Sequence, residues 1–333
     1  MTWLQDWRES AADRALLRAW RRGGAFDAAG AARAHAALGG DPPSVQWAGV
    51  LDRLALWLGV ALCAAGLLCF VAANWEHLGK TTQLYGLQAL LVVCCVAALR
   101  AGLSRLAGQA LLWLSMLVLG GVLALIGQTY QTGADAWELF ALWAALSLPW
   151  VVAGRHVALW LTSALLLQCA LWEWIPLHVD SGADSDRMLA LGVGLFDALL
   201  LAMWEVAGLR WPEFRTRAGR WLFTAMSSTL LALASILAVS DDGRDALRVR
   251  AVCVLAWLLT SAIAMALCLR GRRDMPALAL WMFGVVTVCA ATVHRLLRAE
   301  SAALANLAAG VAVVVLAALA AVVLRRFAAK AAT

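Results

Sequence analysis

The sequence has few charged residues. Asp, Glu, Lys and Arg make up 14% of its 333 residues, and only Lys80 and Lys330 are lysines. Soluble domains carry about a quarter charged residues, so this composition leaves no room for a large soluble domain. The net charge of +6 comes from arginines that flank apolar segments and form no single basic stripe. This distribution is typical of membrane topology signals, and we expect no nucleic-acid partner.

Recognisable catalytic and metal-binding motifs are also missing. The eight cysteines fall inside apolar runs, with no Cys-x-x-Cys pair and no histidine at metal-ligand spacing. They are predicted to be small buried hydrophobic residues, and no metal or cofactor is expected. The sequence contains no zinc-protease motif, nucleophile elbow, phosphate-binding loop or dinucleotide fingerprint. We therefore expect a protein that is not an enzyme.

Long apolar runs dominate instead, since 63% of the residues are hydrophobic and the mean hydropathy is +0.79. A bilayer core of about 30 Å needs about 20 helical residues to cross it. The first run starts near Arg53, too late for a cleaved signal peptide. The expected fold is all-α, a polytopic transmembrane bundle of about ten spans with the fourth the shortest. The predicted spans are 54–73, 84–99, 106–126, 139–153, 157–174, 188–207, 221–239, 251–269, 276–293 and 302–324.

Residues 1–47 are predicted to form a cytosolic helix pair outside the bilayer. Tryptophans and leucines recur at helical spacing as far as Trp20, and a second short helix follows. The partly apolar face favours contact with the membrane surface, and it is also the expected contact for a protein partner. We divide the rest into a membrane domain over 48–207 and C-terminal membrane helices over 208–333. Nothing in the sequence indicates an oligomeric state.

The arginines between the spans set the predicted orientation. With the N-terminus in the cytoplasm, most loop arginines fall inside, as the positive-inside rule requires. The excess of arginines on the cytoplasmic side is clear in the first half of the chain and weaker after residue 240. An even number of spans then places the C-terminus in the cytoplasm as well. The later arginines that fall outside are Arg244, Arg248, Arg250, Arg295 and Arg298.

Two polar stretches interrupt the apolar sequence on the predicted outer side. The longer, GQTYQTGADAWE, runs from Gly127 to Glu138 without Lys or Arg, and the shorter runs from Asn74 to His77. Because both face outward in this orientation, they are predicted to lie close together and to form a joint polar site. Its candidate residues are Asn74, Trp75, Glu76, Gln128, Tyr130, Gln131, Asp135, Trp137 and Glu138.

Both stretches belong to longer motifs. The segments FVAANWEHLGKTTQLYG, starting at Phe70, and LALIGQTYQTGADAWELFALWAALSLPW, starting at Leu123, resemble the predicted bacterial membrane proteins catalogued as domain of unknown function 2157. The resemblance covers roughly residues 45–190. It implies a multi-spanning protein of a bacterial inner membrane, without a known activity. The motif residues matched here are Ala73, Asn74, Trp75, Gly127, Gln128, Tyr130, Gln131, Gly133, Asp135 and Trp137.

The polar loop has two interpretations. Asp135 and Glu138 have the spacing of a capping box, which predicts that they begin the fourth helix. Alternatively, the free N–H groups of that helix, together with Gln128, Tyr130 and Gln131, form a re-entrant polar pocket. The capping interpretation explains the acidic residues and leaves the other three unexplained.

Asp197 is predicted near the centre of the sixth span. An ionisable residue there costs about 2.5–3.5 kcal/mol on insertion scales, so it should face the bundle with a partner or a proton. One interpretation is a proton- or cation-linked role, with Glu205 nearer the cytoplasmic end. The other is a structural hydrogen bond to an amide on another helix. The candidate amides are Gln88, Gln109, Gln168 and Asn306.

Three functions therefore stay open. A non-catalytic scaffold, assembly factor or sensor, which we favour, predicts Asp197 buried against an amide and an outer loop packed on its own helices. A transporter of a small solute or ion predicts a water-accessible cavity from Asp197 to the loop. An enzyme acting on lipid or envelope material predicts titratable groups converging in an outward cleft. The sequence supplies only Glu76, His77, Asp135 and Glu138 for such a cleft.

Overall fold

A computed structural model of the chain describes residues 27, 29–30, 44–73, 79–131, 133–179, 185–240, 246–270 and 274–331. Within these ranges the chain forms ten long helices and no strand, and every helix is long and apolar enough to cross a membrane. The polytopic all-α bundle of about ten spans is thereby confirmed. The helices are α1 Ser44–Ala73, α2 Lys80–Ala101, α3 Leu106–Tyr130, α4 Ala136–Gly154, α5 Val157–His178, α6 Ser185–Arg210, α7 Arg217–Ser240, α8 Ala246–Arg270, α9 Met275–Arg298 and α10 Ala302–Ala331.

The outward faces of several helices are strongly apolar. Val93 on α2, Leu259 on α8 and Val314 on α10 are all more than 60% exposed, and many other leucines and valines resemble them. Soluble monomers rarely expose apolar surface on this scale, whereas lipid tails cover it without cost. The exposed residues therefore mark the lipid-facing surface of the bundle.

Contacts divide the chain into two units, residues 1–67 and 68–333, and α1 crosses the division. The predicted helix pair over residues 1–47 lies almost wholly outside the described residues, as does the Asn74–His77 stretch. The candidate residues that the structure describes all belong to the second unit. The domain boundary expected between residues 207 and 208 falls inside this unit and stays a prediction.

The second unit contains two main cores. One lies between α2, α3, α4 and α5 around Met116 and Leu159, and the other lies between α6, α7, α8 and α9 around Leu231 and Trp281. A third cluster joins them where Trp204 of α6 contacts Phe214, which belongs to a single 3-10 turn before α7. The boundary between the two cores runs between α5 and α6, and Asp197 lies on this boundary.

Two glycines let α6 approach both of its neighbours closely. A Cβ atom on Gly192 would lie 2.8 Å from the Ile175 side chain in α5. A Cβ atom on Gly194 would lie 3.0 Å from the Leu231 side chain and 3.1 Å from its backbone nitrogen in α7. Small residues of this kind allow transmembrane helices to pack at short distance. Asp197, one turn after Gly194, is consequently enclosed between α5 and α7.

Candidate functional site

Asp197 is buried completely and accepts a hydrogen bond from a neighbouring amide. The Nε2 atom of Gln168 in α5 lies 2.9 Å from its Oδ2 atom, and the exposed fraction of Asp197 is 0%. The same nitrogen lies 3.6 Å from the sulfur of Met226 in α7. Gln168 is one of the four amides that the sequence offered as partners. This polar contact joins α5, α6 and α7 inside the apolar bundle.

Two oxygens of this pair have no hydrogen-bond donor among the described residues. They are Asp197 Oδ1 and Gln168 Oε1, and among the same residues the buried hydroxyl of Ser227 in α7 also has no partner. The contacts of Gly194 with Leu231 and of Trp204 with Gly219 set an antiparallel register that places Ser227 at the level of Asp197. An ionised carboxylate is costly in such surroundings unless it is paired. The hydrogen bond from Gln168 Nε2 offsets part of this cost.

Glu205, the second predicted intramembrane acid, takes part in an ion pair. Its carboxylate pairs with Arg220 of α7, which also reaches Asp274 at 3.0 Å. The indole nitrogen of Trp221 lies 3.2 Å from Asp274 as well. This network links α6, α7 and the start of α9, and it gives Glu205 a structural partner. Sequence reasoning missed Arg220 and Asp274 because their separation of more than fifty residues produces no local pattern.

The arginines that weaken the orientation bias have a structural role. Arg250 of α8 donates a hydrogen bond from Nε to the carbonyl of Ala238 at 3.2 Å, and Arg295 of α9 donates to the carbonyl of Val239. Both carbonyls belong to the last turn of α7, where helix carbonyls lack an intrahelical donor and the helix dipole is negative. These two arginines therefore cap α7, which explains their position on the predicted outer side.

The predicted outward loop is shorter than the sequence indicated. Helix α3 continues to Tyr130, so Gln128 and Tyr130 lie in its last turn rather than in a loop. Gln131 and Gly133 then take positive φ angles of 46° and 67° and turn the chain towards α4. Polar residues at the membrane boundary can stay helical, because their side chains reach water there. The prediction of a polar loop from residue 127 onwards was wrong by one helical turn.

Asp135 occupies the N-cap position of α4, but the predicted capping box does not form. Its side chain accepts no hydrogen bond from the first turn, which lies wholly within the described part of the chain. Its backbone carbonyl instead accepts from the N–H groups of Glu138 at 3.1 Å and Leu139 at 3.4 Å. The helix start was therefore predicted correctly, while Asp135 and Glu138 are both exposed and available to solvent.

An aromatic cluster lies beside this helix start. The ring of Trp137 meets the edge of His178 at 5.8 Å, and His178 stacks on Trp174 at 4.8 Å. Nδ1 of His178 lies 3.0 Å from the carbonyl of Trp174. Within the described ranges, the buried indole nitrogen of Trp137 and the buried hydroxyl of Thr129 have no hydrogen-bond partner. Sequence reasoning missed His178, because a lone histidine at the end of a span carries no signal.

The structure brings part of the predicted joint site together. Gln128, Tyr130, Gln131, Asp135 and Glu138 are exposed at the junction of α3 and α4, and Tyr130 is 64% exposed. We call these five residues the outer rim. Asn74, Trp75 and Glu76 lie outside the described residues, so their proximity to the rim stays a prediction. Across the described ranges, no three His, Cys, Asp or Glu side chains are grouped so that they could hold a metal ion.

The comparison with known proteins confirms the family resemblance but shifts its bounds, since the match begins before residue 45 and ends before residue 190. Residues 18–160 match the family of predicted membrane proteins designated domain of unknown function 2157, which confirms the resemblance seen in the motifs. The match contains the outer rim and ends early in α5. Gln168 and Asp197 therefore lie beyond it. No curated protein and no solved structure matches the chain.

Proposed function

We propose that this chain is a non-catalytic protein of a bacterial inner membrane, acting as a scaffold, an assembly factor or a sensor. The observation that supports this role most directly is the hydrogen bond between Gln168 and Asp197, because it gives the buried acid a structural partner. A scaffold predicts a buried acid held against an amide in this way. The transmembrane helices then serve to hold an exposed contact surface in place.

The outer rim supplies that contact surface, although its exposure differs from the outer loop packed on its own helices that we expected of a scaffold. Tyr130 is 64% exposed next to the exposed amides of Gln128 and Gln131. Tyrosine is enriched at protein interfaces, since its ring offers apolar area and its hydroxyl offers a hydrogen bond. The close contact of Gly120 in α3 with Trp143 in α4 joins the two helices that carry these side chains. The rim is therefore an exposed polar surface suited to a protein partner.

A transporter of a small ion is the second candidate. It is favoured by one observation, which is that Asp197 Oδ1 has no hydrogen-bond donor among the described residues. Neither of the two grooves described in the bundle is lined by Asp197 or by a residue of the outer rim. These two grooves therefore do not supply the passage from the acid to the rim that a transporter predicts.

Two experiments separate these candidates. Liposomes that contain the purified chain and a pH-sensitive dye should show the same proton permeability as empty liposomes, with and without a membrane potential. Proton or cation flux that disappears in Asp197→Asn would support the transporter instead. In cells, a photo-crosslinking amino acid at Tyr130 should give one discrete protein adduct. The same group at Val314, which faces lipid on α10, serves as the control.

The proposed orientation places both termini in the cytoplasm. It rests on the loop arginines of the first half of the chain, most of which it places inside. Arg250 and Arg295 fall outside in this orientation, but they cap α7, so we do not count them as topology signals. A reporter fused after Thr333 should be active only in the cytoplasm. Reporter activity on the periplasmic side would show that the orientation is the reverse and that the outer rim faces the cytoplasm.

A further inference from the structure

Three exposed arginines lie where α6 turns into α7. Arg210 ends α6, Arg217 begins α7, and Arg215 ends the 3-10 turn between them. The turn packs closely on α6, since a Cβ atom on Gly208 would lie 3.3 Å from the carbonyl oxygen of Phe214. The three arginines are therefore held together at one end of this helix pair. We call them the arginine patch.

Two members of the patch are oriented by contacts with the protein. Arg215 donates a hydrogen bond from Nε to the carbonyl of Gly208 at 3.1 Å, in the last turn of α6. The guanidinium carbon of Arg217 lies 5.8 Å from the centre of the Trp221 ring. These contacts leave the terminal N–H groups of both arginines without a hydrogen-bond acceptor among the described residues. Arginine recognises phosphate oxygens through such N–H groups.

The acidic residues near the patch are paired with other arginines. Glu213 pairs with Arg155 at 3.2 Å, and Glu205 and Asp274 both pair with Arg220. No member of the arginine patch forms an ion pair within the part of the chain that the structure describes. The patch therefore presents three positive charges that an anion can neutralise.

An apolar stripe of α6 leads to the patch. Met203, Val206 and Leu209 recur at helical spacing, and each is more than half exposed. Trp211, which is 48% exposed, follows directly after α6. Exposed apolar residues of a spanning helix face lipid tails, and tryptophan is enriched at the level of the head groups. The arginine patch therefore lies where a phospholipid carries its phosphate.

We propose that the arginine patch binds the head group of an anionic phospholipid. The phosphate oxygens accept hydrogen bonds from Arg215 and Arg217, Arg210 adds a third positive charge, and one acyl chain lies along the stripe from Met203 to Leu209. Three unpaired positive charges favour an anionic head group, and the adjoining stripe favours a lipid over a soluble anion. This site goes beyond the proposed scaffold role and does not depend on it.

Photo-labelling in lipid nanodiscs tests the site with the full chain. The probe is phosphatidylglycerol with a diazirine in one acyl chain, and labelled peptides covering residues 203–221 are quantified by mass spectrometry. Phosphatidylcholine with the same acyl chain is the control probe, because its head group has no net charge. We expect about fivefold or more labelling by phosphatidylglycerol, since each basic residue at an anionic surface contributes a factor of about five.

A matched pair of double variants separates the patch from the general positive charge of this side. Arg210→Gln with Arg217→Gln should bring labelling by phosphatidylglycerol close to that by phosphatidylcholine. Arg210→Lys with Arg217→Lys keeps the charge and should keep most of the preference. Arg100→Gln with Arg105→Gln removes two exposed arginines near the turn between α2 and α3, and it should leave labelling of residues 203–221 unchanged.

Four results would each overturn the proposal. They are equal labelling of the wild type by the two lipids, full preference in the Arg210→Gln and Arg217→Gln variant, equal loss in the two glutamine variants, and loss of the preference in the lysine variant. Glycerol 3-phosphate at the concentration of the probe carries the phosphate without acyl chains and should not reduce labelling. Competition by it would assign the patch to a soluble phosphate instead of a lipid.

Discussion

Gly120 of α3 lies directly under the indole ring of Trp143 in α4. A Cβ atom on Gly120 would come within 2.2 Å of that ring, and the indole nitrogen donates a hydrogen bond to the Met116 carbonyl at 2.8 Å. The tryptophan is therefore held by one turn of α3, with the glycine leaving space for its ring. This contact fixes the two helices that carry the outer rim.

Gly120→Ala should destabilise the protein by about 1–3 kcal/mol, because the ring must move and weaken its hydrogen bond. Thermal unfolding in detergent, followed by circular dichroism, measures the loss. Gly86→Ala is the matched control, since Gly86 is also helical but an added Cβ would have no atom of the described residues within 4 Å. Equal melting temperatures for the two variants would contradict the close packing of Gly120 and Trp143.

Asp197 should tolerate loss of its charge but not loss of its polarity. Asp197→Asn keeps an oxygen that can accept from Gln168, so we expect a change in unfolding free energy of less than about 1 kcal/mol. Asp197→Leu leaves the buried amide without an acceptor and should cost about 1–3 kcal/mol. Denaturant titration in mixed micelles compares the two. A larger loss for the asparagine than for the leucine would contradict the prediction, because it would show that an oxygen acceptor for Gln168 does not stabilise the bundle.

Arg220 should be among the most sensitive charged residues of the described chain. Its side chain is only 12% exposed, and Arg220→Gln leaves Glu205 and the buried Asp274 without their cation. Breaking a buried pair from one side costs about 3–5 kcal/mol. Arg155→Gln is the control, because Arg155 also pairs with a carboxylate, that of Glu213, but is 62% exposed. The Glu213 side chain is only 10% exposed, but the solvated Arg155 serves this one carboxylate whereas Arg220 serves two, so the control should lose clearly less stability than Arg220→Gln.

His156 gives the protein a pH-dependent helix start. It is the N-cap of α5, its Nδ1 atom accepts the N–H of Ala158 at 3.2 Å, and burial lowers its pKa below the usual value of 6.5. The unfolded chain therefore takes up this proton at a higher pH than the folded one. The free energy of unfolding should fall as the pH drops below about 6.5, and it should level off below the folded pKa.

His156→Asn isolates this effect, because asparagine caps a helix and does not titrate near neutral pH. The stability difference between the variant and wild type, measured across the neutral and mildly acidic range, should move in favour of asparagine as the pH falls. A difference that stays constant across this range would assign the pH dependence to other groups.

The number and position of the spans could be predicted because the bilayer imposes a length and an apolar composition on each helix. The end of α3 could not, since polarity near residue 127 marks the membrane boundary rather than the end of the helix. The backbone angles of Gln131 and Gly133 end it instead. Sequence reasoning therefore located the membrane boundary, and the helix extended one turn past it.

The sequence limited the partner of Asp197 to four candidate amides but could not choose among them. Four amides lay in other spans, and choosing Gln168 required the packing of α6 against α5 through Gly192. The network of Arg220 and Asp274 was invisible for the same reason, because it depends on how distant helices meet. An isolated charged residue in an apolar run can be expected to be buried. Which residue becomes its partner depends on tertiary packing, which the sequence does not reveal.

The capping of α7 by later helices has a consequence for the order in which the chain is completed. Helix α7 is synthesised before α8 and α9, which carry Arg250 and Arg295. Until they arrive, the last carbonyls of α7 can be satisfied only by water at the bilayer surface. The hydrogen bonding at the end of α7 is therefore completed late. A chain halted after α8 would have the cap from Arg250 but not the cap from Arg295. Insertion of α9 is then the event that locks this part of the bundle.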